Sequence, residues 1–79
     1  MKKPELKLGM YKHYKGDLYE VLDLVLHTET NEWMVLYKAH SYDFEDEHGL
    51  EILFVRPYVM FIEQVTYKEK SLQRFTYIN

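Results

Sequence analysis

Short, largely apolar runs separated by turn-forming residues most limit the fold of this sequence, and the first of them, residues 8–14, alternates between apolar and polar residues. Such runs lie at residues 8–14, 33–39, 50–55, 62–67 and 74–78, and several are rich in aromatic or β-branched residues. Alternation with a period of two places every second side chain on the same face of a strand. Gly16 and Asp17 follow the first run and predict a tight turn. The sequence therefore predicts an all-β protein of short antiparallel strands.

Residues 18–27 fit two kinds of secondary structure. Apolar residues recur at positions 18, 22, 25 and 26, which is the spacing of an amphipathic helix. The same segment also fits a strand with apolar side chains on both faces, as expected where a sheet curls over its own core. We interpret it as a strand, because the run is short and residues 28–32 have the composition of a hairpin loop.

Arg56-Pro57 is expected to end the fourth strand, since proline has no amide hydrogen to donate. Residues 57–61 then suit one 3₁₀ turn that begins with the proline. A sheet in a chain this small must close on itself to bury enough apolar surface and to protect its edges. We therefore expect a small, strongly bent SH3-like barrel of five to six antiparallel strands with one 3₁₀ turn. The expected interior residues are Val21, Val25, Trp33, Val35, Phe54 and Phe61.

The length of 79 residues predicts one domain. We divide the chain into an N-terminal basic tail at 1–7 and a single domain at 8–79, with an acidic loop insertion at 41–49. The absence of cysteine excludes a disulfide scaffold, a thiol nucleophile and a cysteine-based zinc site. The hydrophobic fraction of 47% is too high for a disordered chain. No apolar run approaches the roughly 18 residues of a membrane span, and no apolar signal core is present, so a cytoplasmic location is expected.

Charge is distributed unevenly along the chain, although the net charge is only −3. Residues 1–16 carry five lysines and one acid, whereas residues 43–51 carry five acids and no lysine or arginine. A protein that coats duplex DNA neutralises many phosphates and has a basic surface and a high pI. The pI here is about 5.7. Non-specific coating of duplex DNA is therefore not expected, while a local anion site near the N-terminus is compatible with the sequence.

Six short motifs follow one another along the chain. They are Gly9-Met10-Tyr11-Lys12-His13-Tyr14-Lys15-Gly16, His27-Thr28-Glu29-Thr30, Val35-Leu36-Tyr37, Val55-Arg56-Pro57, Met60-Phe61 and Arg74-Phe75. In order and spacing they resemble the pattern of a bacterial family of small proteins of unknown function, over about residues 8–78. The resemblance implies an SH3-like β-barrel and transfers no catalytic residue, because the family has no established activity. Phe54 stands where the family pattern has a tryptophan, and the acidic residues 43–47 look like an insertion.

Polar residues at alternate positions of the first predicted strand point to a ligand site. Tyr11, His13 and Lys15 would project from one face of that strand. Together they could hydrogen-bond and neutralise a phosphate or a carboxylate, and two arginines could add bidentate donors. The predicted ligand-binding residues are Tyr11, His13, Lys15, Tyr37 (as a stacking surface), Arg56 and Arg74. In the competing interpretation, the cations are solvated or pair with Glu20, Glu29 or Glu63.

No catalytic, metal or cofactor site is predicted. Neither serine lies in a nucleophile elbow, the glycines form no phosphate loop, and the four histidines lack metal-ligand spacing. We therefore expect a non-catalytic binding module, foremost a protein or peptide interaction domain. One alternative is a binder of a small anionic ligand such as a nucleotide, with its pocket completed across a homodimer interface. The other is a module that contacts single-stranded nucleic acid.

Overall fold

A computed structural model describes residues 2–40, 49 and 51–79. The described part of the chain is all-β and antiparallel with one helical turn, which confirms the predicted fold class. The elements in chain order are β1 (Gly9–His13), β2 (Leu18–His27), β3 (Glu32–Ala39), β4 (Phe54–Pro57), α1 (Tyr58–Phe61), β5 (Gln64–Tyr67), β6 (Lys70–Gln73) and β7 (Phe75–Tyr77). The acidic loop predicted at 41–49 lies outside the described residues except for Gly49.

Two antiparallel sheets hold these strands. The larger has the order β4-β3-β2-β1-β7, so the last strand lies beside the first, and β5 and β6 form a separate two-stranded sheet. In the larger sheet β4 and β7 are the two edges. The SH3-like barrel remains a prediction, since the described strands form one five-stranded and one two-stranded sheet.

The long strand β2 contains an irregularity that explains its ambiguous sequence. Its register against β3 shifts between Val21 and Asp23. The side chains of Val21 and Leu24 are both buried although they lie three positions apart. A bulge changes which face a side chain occupies and bends the strand. The bulge therefore brings Val21 and Leu24 to the same buried side, and the prediction of a strand is confirmed.

Aromatic side chains make up most of the core. The buried residues are Tyr11, Val21, Leu24, Val35, Tyr37, Phe61 and Phe75. The expected core positions Val21, Val35 and Phe61 are thus confirmed, whereas Trp33 and Phe54 are only half-buried against the cluster. The rings of Phe61 and Phe75 are stacked in parallel with their centroids 4.1 Å apart.

Three element boundaries differ from the prediction. Pro57 belongs to β4, opposite Met34, and does not follow the strand. Proline is tolerated there because β4 is an edge strand, where a missing amide hydrogen costs no ladder bond. The predicted 3₁₀ turn is a single α-helical turn, in which the amide of Ile62 donates to the carbonyl of Tyr58 at 3.1 Å.

The third difference is an additional strand. The polar residues 68–71, between the runs at 62–67 and 74–78, predict a turn of four residues. The turn is only two residues long, and Lys70 and Ser71 already belong to β6. Both turn residues, Lys68 and Glu69, have positive φ values of 51° and 66°. This geometry matches the twist of a two-residue hairpin and lets the strands continue up to the turn.

The N-terminal segment, predicted as a basic tail, contacts the domain. Leu6 packs against the core. The hydroxyl of Tyr11 donates to the carbonyl of Lys7 at 2.7 Å, and the Lys7 ammonium lies 4.9 Å from the centre of the Tyr77 ring. These contacts hold the segment next to β1 and β7.

Candidate functional site

The end of β1 carries His13, the residue around which the candidate site is built. His13 pairs across the sheet with Phe75, and the two rings meet edge to face at 5.0 Å. The side chain is half-buried, with the ring of Tyr14 at 4.5 Å on another side. In the turn that follows, the backbone amide of Lys15 donates to His13 Nδ1 at 3.2 Å. An accepting Nδ1 leaves Nε2 as the ring nitrogen that can donate to a ligand.

Arg56, which lies on the opposite edge strand β4, also contacts the ring of Phe75. Its guanidinium carbon lies 5.6 Å from the centre of the Phe75 ring, within the range of a cation–π contact. Its Nε donates to the hydroxyl of Tyr37 at 3.3 Å. Because β4 and β7 are opposite edges of the five-stranded sheet, this contact requires the sheet to be strongly bent. The bend is what brings residues of the first, fourth and last strands to one site.

Burial and the positive charges of three side chains act on the pKa of His13. Burial lowers the pKa of His13, and the positive charges of Arg56, Lys15 and Arg74 lower it further, while Asp17 opposes them. The contacts place these residues near one another: His13 and Arg56 both contact the Phe75 ring, and the carbonyl of Arg74 accepts from the amide of Tyr14 at 2.9 Å. Four of the predicted site residues, one histidine and three cations, therefore share one neighbourhood.

The two arginines differ in how their charge is compensated. Arg74 Nη2 forms an ion pair with Glu63 Oε1 at 2.9 Å, and its Nε donates to the carbonyl of Met60 at 3.1 Å. For Arg56, no carboxylate within ion-pair distance is found in the part of the chain that the structure describes. Arg74 thus anchors the segment after α1, whereas the Nη groups of Arg56 have no hydrogen-bond acceptor among the described residues.

Both predicted site tyrosines lie in the core. Tyr11 and Tyr37 are 5% and 6% exposed. The ring of Tyr37 is surrounded by those of Tyr19, Phe61 and Phe75 at 5.6–5.8 Å, so its hydroxyl is the part that reaches Arg56. The hydroxyl of Tyr11 is used by Lys7, as described above.

Phe75 is the site residue that sequence reasoning missed. It forms the surface under both His13 and Arg56. Its place in an alternating run could have indicated that its side chain faces inward. Its pairing with His13 could not be predicted, because the two residues are far apart in sequence and no local pattern indicates which strands pair.

The described residues show neither a metal-binding cluster nor a membrane-spanning helix. Residues 2–40, 49 and 51–79 contain no cluster of three or more histidine, aspartate or glutamate side chains that could hold a metal ion. Within the same residues, no helix is long and apolar enough to cross a membrane.

Comparisons with known proteins place the chain in a family. A search of curated proteins finds no match. The crystal structure of a DUF1653 protein from Bordetella bronchiseptica is similar, with 31% sequence identity, a TM-score of 0.75, and coverage of 94% of this chain and 88% of that one. The profile of the family described as "Protein of unknown function (DUF1653)" matches residues 9–77. This chain therefore belongs to the DUF1653 family.

Proposed function

We propose that the chain is a non-catalytic binding module that holds the anionic group of its ligand, a carboxylate or a phosphate, beside Arg56 and His13. The observation that carries this proposal is the guanidinium of Arg56, which is half-buried and has no carboxylate partner among the described residues. A half-buried cation beside two further cations is unfavourable unless an anion offsets the repulsion. Arg74 has such an anion in Glu63.

The chemistry of the site suits an oxyanion. With Nε engaged by Tyr37, Arg56 presents its Nη donors, whose planar arrangement can bind two oxygens at once. His13, whose Nδ1 accepts from the Lys15 amide, keeps Nε2 as a donor, and the Lys15 side chain adds a nearby positive charge. An anion bound here would favour the protonated imidazole and so raise the pKa of His13.

Thermal unfolding tests the proposal directly. Phosphate should raise the Tm of the parent protein, because a ligand that binds only the folded state stabilises it. Arg56→Met removes the charge but keeps an apolar side chain over Phe75, and it should abolish the rise. Lys12→Met is the matched control, since it also removes one positive charge, from an exposed position on the other face of β1.

The comparison uses sodium chloride at equal ionic strength to remove general salt effects. An equal Tm rise in parent and Arg56→Met would show that phosphate acts elsewhere, and no rise in the parent would contradict an anion site. A nucleoside monophosphate in place of phosphate tests the nucleotide alternative, and native mass spectrometry of the same sample tests the homodimer.

A second candidate function, a protein or peptide interaction domain, is favoured by exposed apolar side chains next to the site. Val55 on β4 is 56% exposed, and Val59 and Met60 on α1 are 63% and 42% exposed. These residues surround Arg56 in sequence, so a peptide carboxylate at Arg56 could be accompanied by apolar contacts. In that case Val55→Ser and Val59→Ser would weaken peptide binding and leave the effect of phosphate unchanged.

A further inference from the structure

A second candidate site lies beside the N-terminal segment. It is a pocket of about 170 Å³ between β7, the N-terminal segment and the chain after α1. Tyr11, Phe61 and Phe75 line it from the core, and Leu6, Ile62 and Tyr77 line it from the outside. The pocket shares Phe75 with the anion site but is lined by none of the residues Lys15, Arg56 and Arg74.

The lining determines what can occupy the pocket. Gln73 is the one lining side chain that is neither aliphatic nor aromatic, and the hydroxyl of Tyr11 is already used by the carbonyl of Lys7. A polar occupant would therefore find few hydrogen-bond partners for the water contacts that it loses. A cavity of about 150 Å³ with an apolar lining is large enough to hold benzene. The volume is enough for one aromatic ring, and the exposed parts of Ile62 and Tyr77 leave the pocket open to solvent on one side.

A positive charge lies beside Tyr77, one of the lining residues, although Lys7 itself does not line the pocket. Ile62 and Tyr77, which are 48% and 40% exposed, form the part of the lining that faces solvent. The Lys7 ammonium lies over the ring of Tyr77, and the described residues provide it with no ion-pair partner. A ring held between Ile62 and Tyr77 would place a short acidic substituent near this ammonium.

We propose that this pocket binds a small aromatic carboxylate, with the ring against Phe61 and Phe75 and the carboxylate at Lys7. The proposal does not rest on the proposed function, although the two sites share Phe75. Phenylacetate is a suitable probe, because it has one ring and one carboxylate. Phenylacetamide keeps the ring and removes the charge, and acetate keeps the charge and removes the ring.

Titrations followed by the NMR signals of the Leu6 and Ile62 methyl groups give the affinity at the pocket itself. Phenylacetate should shift both signals to saturation, and acetate should leave them unchanged. Phenylacetamide should bind about two- to fivefold more weakly, as expected for the loss of one solvent-exposed ion pair. Lys7→Gln should bind phenylacetate as weakly as the parent binds phenylacetamide.

A substitution that fills the pocket tests the proposal most directly. Gln73→Phe places a ring in the pocket lining and should abolish the methyl shifts. Gln64→Phe is the matched control, because Gln64 is the exposed cross-strand partner of Gln73 and does not line the pocket. An unchanged Tm in both variants shows that they are folded.

Three results would overturn the proposal. The first is the absence of saturable methyl shifts with phenylacetate in the parent protein. The second is undiminished binding in Gln73→Phe. The third is loss of phenylacetate binding in Arg56→Met with retention in Lys7→Gln, which would assign the probe to the anion site.

Discussion

Phe75 connects the core to the candidate site at the scale of single residues. Its ring stacks on Phe61, meets His13 at its edge and lies under Arg56. Because the ring is packed on Phe61, its position is fixed by the core and not by the ligand. The donors of His13 and Arg56 are therefore held in place before a ligand arrives, which reduces the entropy that binding would cost.

The pKa of His13 predicts how stability depends on pH. Its folded-state pKa lies below the ordinary value of 6.5, so near that value the unfolded chain binds more protons than the folded one. Stability should therefore fall as pH decreases through 6.5 toward the lower folded-state pKa, and should level off below it. His13→Asn should show a weaker fall in Tm between about pH 8 and about pH 5, the range in which histidine titrates.

The control for this experiment is His27→Asn, which changes an exposed histidine at the end of β2. A pH dependence that is reduced equally by both substitutions would contradict a specific role for His13. An NMR titration of the imidazole supplies a second readout, because phosphate at the site should raise the pKa of His13.

The sequence was sufficient to predict that His13, Lys15, Arg56 and Arg74 share one region. The competing interpretation named Glu63 as a possible partner, and Glu63 does pair with Arg74. The sequence did not distinguish the two arginines, of which only Arg74 has a carboxylate partner among the described residues, because the difference depends on how the chain bends before β7. The burial of Tyr37 could not be predicted either. Side chains of β3 alternate between two faces of the sheet, but the sequence does not show which face the bent sheet buries.

At the scale of elements, turn chemistry decides where the strands end. The hairpin of β5 and β6 has a two-residue turn, Lys68 and Glu69, with both φ angles positive. Residues other than glycine and asparagine pay a steric cost in this conformation. The sequence shows a polar turn here but carries no glycine, which is why the prediction made the turn too long and missed β6.

Glu69→Gly should therefore stabilise the protein. Relief of the strain at φ 66° is expected to contribute about 1 kcal/mol, which corresponds to a Tm increase of about 4–8 °C in a domain of this size. Glu29→Gly is the control, because Glu29 lies in the turn between β2 and β3 without a positive φ. A decrease in Tm for Glu69→Gly, measured by circular dichroism, would contradict the assigned turn geometry.

At the scale of the whole molecule, the first and last strands hold the sheet together. The amide of Met10 donates to the carbonyl of Asn79 at 2.9 Å, and the amide of Ile78 donates back to the carbonyl of Met10 at 2.8 Å. Next to these bonds, Gly9 has a φ of 123°, and a Cβ there would lie 2.7 Å from the carbonyl oxygen of Asn79. The approach of the two chain segments therefore requires glycine at this position.

Gly9→Ala should destabilise the protein more than Gly16→Ala. Both glycines have positive φ, but a Cβ at Gly16 would meet nothing within 4 Å. The strain common to both is thus cancelled in the comparison, and the steric clash at Gly9 should add about 1–3 kcal/mol to the loss in free energy of unfolding. Urea unfolding measures the difference, and hydrogen exchange at the Met10 amide should accelerate only in Gly9→Ala. Equal losses in the two variants would show that Gly9 and Asn79 are not in contact.

The pairing of β1 with β7 has a consequence for synthesis on the ribosome. Strands β1 to β4 leave the ribosome first, yet the outer edge of β1 and the ring of Phe61 stay uncovered until Phe75 has been translated. An open strand edge beside exposed aromatic rings can associate with other nascent chains. Contacts between residues far apart in sequence also form slowly. The core is therefore completed, and the candidate site is formed, only when β7 becomes available.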